Sequence, residues 1–522
     1  MAEFYPKARQ PRPSTADPSV RTSSQKMLRA ALINFILLQL VFLSLFSYIF
    51  GSLYQHESHV HNLNIVWVDY DGGVIGDAIR HAYGQLQGKG FPTLIERSPD
   101  DFGQPSSLQS AVCNINYWGA LYLSPGASDR LAAALAGGAA ASSYNQSDIL
   151  TYIWNEARYP TVVDSGISGA LKQLSDAARV ALSRINGTGA MQVLDPTDPA
   201  AVRIYSNPWE LVSINLQPTT QGSRLIYNTL VVILILIQDF FYVGTLNGLN
   251  AQFKIWSLID PIRVALVRLG LSVAYTFVGS LCTAGAIWAF RAGWNVSGGQ
   301  FMLTWMTLWL FAHLNFLTLD VFTIWLPPPF VPMALISWVV ISVSAILLPF
   351  ELSPGFFRWA YALPSFNVYQ VLVDIWSGGC NPRLHHALPV MFAYELSSLV
   401  LSTIGVYRRA HYAVIAQEKE EKAFQDLIQQ HMRPKSDGKG SGRRSSRSSP
   451  TKSQPEKQRT AGHPDDDDGQ GEDVESAGSA ATVTLSDDEE DLARRIWRET
   501  SQLQRERSRA SNMGPSFDLV GE

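Results

Sequence analysis

Long apolar runs alternate with stretches of mixed polarity, and the runs dictate the first reading. A membrane span needs about 20 mostly apolar residues. Residues 30–50 meet this without a charge, and the next runs come far later, at 226–246, 264–290, 301–323, 330–350 and 388–407. The pattern is one span, a long loop over 51–225, then five spans. The first run is too long and too aromatic for a signal-peptide core, and no small-residue cleavage site follows, so it reads as a retained anchor.

Loop 51–225 has other periodicities. Residues 64–68, 93–96 and 118–123 are strand candidates. Residues 74–86 look helical, with Ile75, Ile79 and Tyr83 about one turn apart. Residues 128–135 form a short helix candidate with Ser128 as N-cap. Ile167, Leu171, Leu174, Ala178 and Leu182 line one apolar face of a longer helix, about 162–185. The expected fold is a polytopic α-helical membrane protein with six transmembrane helices, one plus five. An α/β extracytoplasmic domain lies between the first two, and the tails, 1–29 and 408–522, are largely disordered and cytoplasmic.

Charge orients this arrangement. Before the first span lie Lys7, Arg9, Arg12, Arg21, Lys26 and Arg29 against Glu3 and Asp17, so the positive-inside rule makes that end cytoplasmic. Six spans return the C-terminus to the same side, with Arg408 and Arg409 at the membrane edge and Lys254, Arg263 and Arg268 in or beside the second–third connection. The glycosylation sequons at Asn145, Asn186 and Asn295 all fall on the expected outer side. Cys113 and Cys380 also fall there, in an oxidising space where a disulfide could join the outer domain to the last loop. With Cys282, three cysteines are too few and scattered for a zinc site or a disulfide scaffold. No metal and no cofactor is expected.

Charged residues make up 16% of the chain, low against the roughly 25% of soluble proteins, as a membrane bundle requires. The net charge of −4 points to no nucleic-acid partner. The run NIVWVDYDGG, residues 64–73, invites an enzymatic reading, because aspartyl phosphatases follow a hydrophobic strand with D-x-D-G. The remaining Ser or Thr, Lys and acidic pair of such a site are not found between 74 and 225, and the acidic run 465–468 lies across the membrane. Asp69 and Asp71 are therefore read as turn and cap residues, and the chain as no enzyme, with no catalytic residue.

Ionisable residues inside spans are functional candidates by default. Asp239, Arg268, His313, Asn315, Asp320 and Glu395 are the set. Asp239, Arg268 and Asp320 are expected in the cytoplasmic third, with His313 and Glu395 nearer the middle. Two readings compete: Arg268 pairs with Asp239 or Asp320 and locks the bundle, or His313 and Glu395 relay protons or line a substrate path. Gly244 and Gly248 form a G-x-x-x-G for close helix contact, and the small residues of the third span place it centrally. Pro327–Pro329 make a tight turn, and Phe356, Phe357, Trp359 and Tyr361 suit an interfacial belt in an outer loop 351–387. In the last tail, Ser486 precedes Asp-Asp-Glu and is a phosphorylation candidate, and 487–510 is a helix candidate.

Five segments together carry a resemblance: VDYDGGVIGDAI (68–79), WGALYLSPGAS (118–128), HLNFLTLD (313–320), FELSPGFFRWAYALPS (350–365) and VLVDIWSGGCNPRLHHALP (371–389). The chain resembles the fungal nitrosoguanidine-resistance membrane proteins, which carry a domain of unknown function (DUF3533). That family is similar in architecture to the membrane subunits of ABC-2-type exporters. The resemblance covers about 28–410. It implies a plasma-membrane protein that confers drug or mutagen resistance by efflux or lipid handling, with a hydrophobic drug or lipid as substrate, the lipid bilayer around it and two copies paired as a homodimer. No Walker A loop occurs in the chain, so the energy source is a partner ATPase, an ion gradient or none. The competing expectation is a scaffold that senses lipid state and organises partners without transport.

Overall fold

A computed structural model describes residue 14 and residues 17–219, 231–291 and 294–432. The phosphorylation candidate Ser486 and the helix candidate 487–510 lie outside the described residues. The chain up to Val414 is one unit, and, apart from the bounds of the last helix, the description concerns that unit.

The first element is a long apolar helix, α1 (Pro18–Ser52). An α/β domain follows: β1 (Asn64–Asp69), α2 (Val74–Leu86), β2 (Thr93–Arg97), α3 (Pro105–Cys113), β3 (Gly119–Leu123), α4 (Ala127–Leu135), α5 (Gly138–Ser143) and β4 (Leu150–Trp154). The short α6 (Pro160–Val163) runs through a π-turn into α7 (Ala170–Val193), and α8 (Pro199–Ser206) and β5 (Leu211–Asn215) close the domain. The longer helix expected at 162–185 thus extends further at its C-terminal end.

The sheet has the order β2-β1-β3-β4-β5. β1 pairs in parallel with β2 and β3, β3 and β4 are antiparallel, and β4 and β5 are parallel. Ile65, Trp67, Leu121, Leu123 and Tyr152 join the large core with α2 and α7. Val66, Val68, Ala120 and Ile153 face the other way, onto Leu108 and Val112 of α3. Burial on both faces explains why β1 reads as a nearly continuous apolar run rather than an alternating one.

The DYDGG run is a turn held by its own carboxylates. Asp69 Oδ1 accepts from the amides of Asp71 (3.0 Å) and Gly72 (2.9 Å), and Gly72 takes φ +65°. Asp69 Oδ2 accepts from Arg80 Nη2 at 2.7 Å. A Cβ at Gly76 would run into that carboxylate, so glycine is what lets α2 start so close to the strand end. Asp71 accepts from the Ser128 amide at 3.0 Å and from its hydroxyl. Ser128 is thus not the N-cap of α4, which is Gly126. Its hydroxyl instead accepts from the Ile75 amide at 3.2 Å and serves the first turn of α2. The helix forms as expected, but the cap reading of Ser128 fails because tertiary contact offers that hydroxyl a different orphan amide.

Among the described residues, six helices are long and apolar enough to cross a membrane: Val20–Ser52, Val231–Gln252, Pro261–Ala289, Gly298–Trp325, Pro328–Leu347 and Leu384–Asp426. The last five belong to α9 (Val231–Gln252), α11 (Pro261–Ala289), α12 (Gly298–Trp325), α13 (Val331–Leu347) and α15 (Leu384–Met432). α10 (Ile255–Leu258) is a single turn between α9 and α11. Local signals set the starts: Asp260 accepts from the Ile262 amide ahead of α11, and Ser297 and Gln300 form a capping box ahead of α12.

Three expectations about packing are corrected. The central helix is the fourth span, α12, whose most apolar window is 67% buried, against 33% for the third, α11. Small residues in a span permit close approach but do not choose the neighbour. The Gly244–Gly248 pair faces open space, and the close approaches occur instead at Gly279 against Gln238 and at Gly405 against Ile324. Residues 351–387 are not a simple loop. They form a 3-10 turn (Gly355–Ala362) and α14 (Pro364–Trp376), buried at every residue but Ile375. At 13 residues α14 is about 20 Å long, too short to span a bilayer. It packs on α12 and α13 and under the α/β domain. Phe356, Trp359 and Tyr361 are exposed, while Phe357 is buried against Tyr48 of α1.

Candidate functional site

The domain sits at one end of the bundle, where α1 ends, α9 begins and α14 lies. Here Tyr369 of α14 accepts from the Tyr159 amide at 3.0 Å, with the two rings 4.9 Å apart edge to face. Arg158 stacks its guanidinium 3.5 Å from the Trp118 ring centre, and burial brings its pKa down to about 10. The structure joins Cys113, at the end of α3, to Cys380, just past α14, by a disulfide. Asn155 also reaches the Cys380 carbonyl at 3.4 Å. The domain is therefore tied to the bundle by covalent, aromatic and polar contacts onto one short helix and the loop that follows it.

The intramembrane candidates lie on α9, α11, α12 and α15, and their contacts give the helix directions. Ser272 meets His313 and Arg268 meets Asp320, so α11 and α12 are antiparallel. Glu395 meets His313, Ser398 meets Thr318 and Ser402 meets Asp320, so α12 and α15 are parallel. These are the directions that alternating spans require of the third, fourth and sixth. Along the α12–α15 boundary runs a polar seam with two centres, seven residues or about 10 Å apart on α12.

The first centre is His313. Its Nδ1 lies 2.6 Å from Glu395 Oε1, and its Nε2 lies 3.2 Å from Ser272 Oγ. This connectivity is that of a hydrolase triad, but the surroundings are not. The Ser272 hydroxyl also donates to the Leu269 carbonyl at 2.9 Å, and in mid-helix the backbone amides around it are committed to the helix ladder rather than free to serve an oxyanion. What the group can support is proton exchange between an imidazole and a carboxylate, with Glu395 Oε2 buried and holding no hydrogen-bond partner among the described residues.

The second centre is Asp320, nearer the domain-distal end. Its Oδ1 accepts from Arg268 Nη2 at 2.7 Å, Arg409 Nη1 at 3.3 Å and Thr323 Oγ1 at 3.3 Å. Its Oδ2 accepts from Ser402 Oγ at 2.7 Å. Arg409 also donates to Asn247 Oδ1 at 2.8 Å and to Thr323 Oγ1 at 2.6 Å. The indole of Trp256, on α10, lies 5.2 Å from Arg268 and 5.1 Å from Arg409.

Of the sequence candidates, the structure brings Arg268 to Asp320 and His313 to Glu395, so both pairings exist at once. Asn315 stands apart, accepting from Trp338 Nε1 of α13 at 3.0 Å. Asp239 is the exception. Gln238 packs on Gly279 and Tyr242 stacks on Tyr275, an antiparallel register that sets Arg268 level with residue 249. Asp239 is thus about 15 Å from Arg268 along the axis and on the domain side of His313, not in the same third as Asp320. It is buried, with Oδ2 lacking a partner among the described residues. Of the sequons, Asn145 and Asn295 are exposed and Asn186 is half-buried within α7.

Sequence reasoning missed Arg409, taken for a membrane-edge charge, together with Ser272, Thr318, Ser398 and Ser402. The legible signal was a polar stripe on α15 at 395, 398, 402 and 409, spaced three, four and seven.

The region 34–400 matches the family described as a protein of unknown function, DUF3533, and the chain belongs to that family of membrane proteins. A protein of Saccharomyces cerevisiae described as an uncharacterized endoplasmic reticulum membrane protein is 19% identical over 439 residues, covering 75% of this chain and 82% of its own. No solved structure matches.

Proposed function

We propose that this is a multipass membrane transport protein of ABC-2-like architecture, which moves a hydrophobic or amphipathic molecule, drug or lipid, across the bilayer and thereby confers resistance to drugs or mutagens. The observation that carries the reading is the His313–Glu395 centre. Intramembrane ionisable groups are costly and mark ion and substrate paths, and this pair can take up and release a proton. In this reading the α/β domain is extracytoplasmic and both termini are cytoplasmic. Asn145, Asn186 and Asn295 lie at the domain end, while Lys254, Arg268, Arg408 and Arg409 lie at the other, which supports that orientation.

Reconstitution of the full chain in liposomes with a labelled lipophilic cation or a labelled phospholipid, under an imposed pH gradient, tests the proposal. Gradient-dependent flux that is lost in His313→Gln supports it. No flux under any gradient, with resistance intact in cells, sinks it and leaves the scaffold. One observation favours that second reading: Asp320 of α12 accepts from Arg268 of α11 and from Ser402 and Arg409 of α15, cross-linking three helices as a structural lock requires. The resemblance implies the plasma membrane, whereas the yeast relative is described as an endoplasmic reticulum protein. Imaging of the tagged full chain separates the two, and loss of a glycosidase-sensitive band in Asn145→Gln checks the sidedness.

A further inference from the structure

We propose that the domain-distal end of the bundle holds the phosphate of an anionic phospholipid headgroup against Arg268 and Arg409. The inference goes beyond the transport reading, because the site is occupied whether or not a substrate moves.

Charge imbalance is the first ground. The Arg268, Arg409 and Asp320 side chains are 6%, 16% and 2% exposed, so two guanidiniums share one carboxylate away from water. A buried charge left uncompensated is strongly unfavourable. Saturation of the carboxylate is the second. Asp320 already accepts from Arg268 Nη2, Arg409, Thr323 and Ser402, and it leaves Arg268 Nη1 buried with no hydrogen-bond partner among the described residues. The Nδ2 of Asn250, one turn along α9 from the Asn247 that receives Arg409, is likewise buried and unpartnered there. The cluster therefore has spare donors and a spare positive charge. The group that satisfies both is an anion with several acceptor oxygens, and phosphate matches the guanidinium fork.

The surroundings select a lipid over a free ion. Phe253, Leu258, Ile259 and Ile262 are exposed around the site and offer an apolar surface to acyl chains. Trp256, half-buried over both arginines, is the amphipathic residue expected at headgroup level. Among the described residues up to Val414, this end of the bundle carries Lys254, Arg263, Arg268, Arg408 and Arg409 against Asp260 and Asp320. Basic pockets between helices at the membrane boundary bind anionic headgroups for this reason.

The test uses the full chain purified in detergent, with phosphatidylinositol, phosphatidylcholine and inorganic phosphate as probes, read by native mass spectrometry and thermal shift. The expected result is retention and stabilisation by phosphatidylinositol about ten-fold more tightly than by phosphatidylcholine. Arg268→Lys keeps a charge beside Asp320 but lacks the second Nη, and should weaken phosphatidylinositol binding about ten-fold. Should that variant not fold, Trp256→Leu, which leaves every ion pair in place, carries the test, with weakened binding expected. Equal binding of both lipids, or phosphatidylinositol affinity unchanged in the folded variants, would overturn the site. Stabilisation by inorganic phosphate equal to that by phosphatidylinositol would overturn the lipid as its source.

Discussion

Asp320→Asn removes the one carboxylate that two buried guanidiniums share. The replacement keeps the shape and one acceptor oxygen, but Arg268 at 2.7 Å and Arg409 at 3.3 Å then face no negative charge. Breaking a buried pair by removing one partner costs about 3–5 kcal/mol, because the other charge is left desolvated and uncompensated. At about 2 °C per kcal/mol for a large domain, the melting temperature of the purified chain should fall by about 6–10 °C. Arg268→Gln should cost less. It leaves Asp320 with Arg409, Ser402 and Thr323, and it removes the surplus positive charge. The double variant Arg268→Gln with Asp320→Asn should melt above Asp320→Asn alone, with a coupling of about 1–3 kcal/mol. Thermal unfolding followed by tryptophan fluorescence measures all three. If Asp320→Asn melts with wild type, or the double variant is simply additive, the carboxylate is not what holds the arginines in the bundle.

Three further predictions rest on other parts of the fold. Maleimide labelling of the denatured, unreduced chain should mark one cysteine, Cys282, and reduction should raise this to three; Cys380→Ser should cost about 2–5 kcal/mol by freeing the domain from the loop after α14. Gly405→Ala should destabilise by about 1–3 kcal/mol through overpacking on Ile324, whereas Gly244→Ala and Gly248→Ala, in open space, should be neutral or slightly stabilising in the same melts. Burial raises the Tyr144 pKa above 10.0, and its hydroxyl donates to the Pro208 carbonyl at 2.8 Å. The folded state therefore keeps this proton when the unfolded state loses it, so stability is intact below about pH 10 and falls as pH rises beyond it. Tyr144→Phe should flatten that alkaline slope in denaturant titrations from pH 8 to 11, and an unchanged slope would remove Tyr144 from the account.

The elements that were legible share a cause. The apolar runs of the spans, the spacing of Ile75 and Ile79 in α2 and the D-G turn after β1 are short-range patterns, and each is dictated by backbone and solvent alone. The misreadings all concern a choice of partner. Ser128 looks like the cap of its own helix and serves α2. Gly244 and Gly248 look like a contact motif and face open space, while the isolated Gly405 makes the close approach. Loop 351–387 looks polar and aromatic enough for a surface belt, yet its 13-residue helix α14 is buried because the domain and the bundle close over it. Arg409 looks like a boundary charge, yet the parallel register of α12 and α15 brings its long side chain back to Asp320.

The sequence by itself determined that this chain is a membrane protein, where the six apolar helices among its described residues lie, that an α/β segment interrupts them after the first, and which ionisable residues the bilayer must accommodate. Hydrophobic periodicity and the cost of bare charge in hydrocarbon suffice for that. Only the tertiary structure decided that Arg268 meets Asp320 rather than Asp239, that His313 meets Glu395, and that Asp320 is outnumbered by two arginines. Those outcomes depend on helix register and crossing, set by packing between segments dozens of residues apart, and local sequence does not encode that distance.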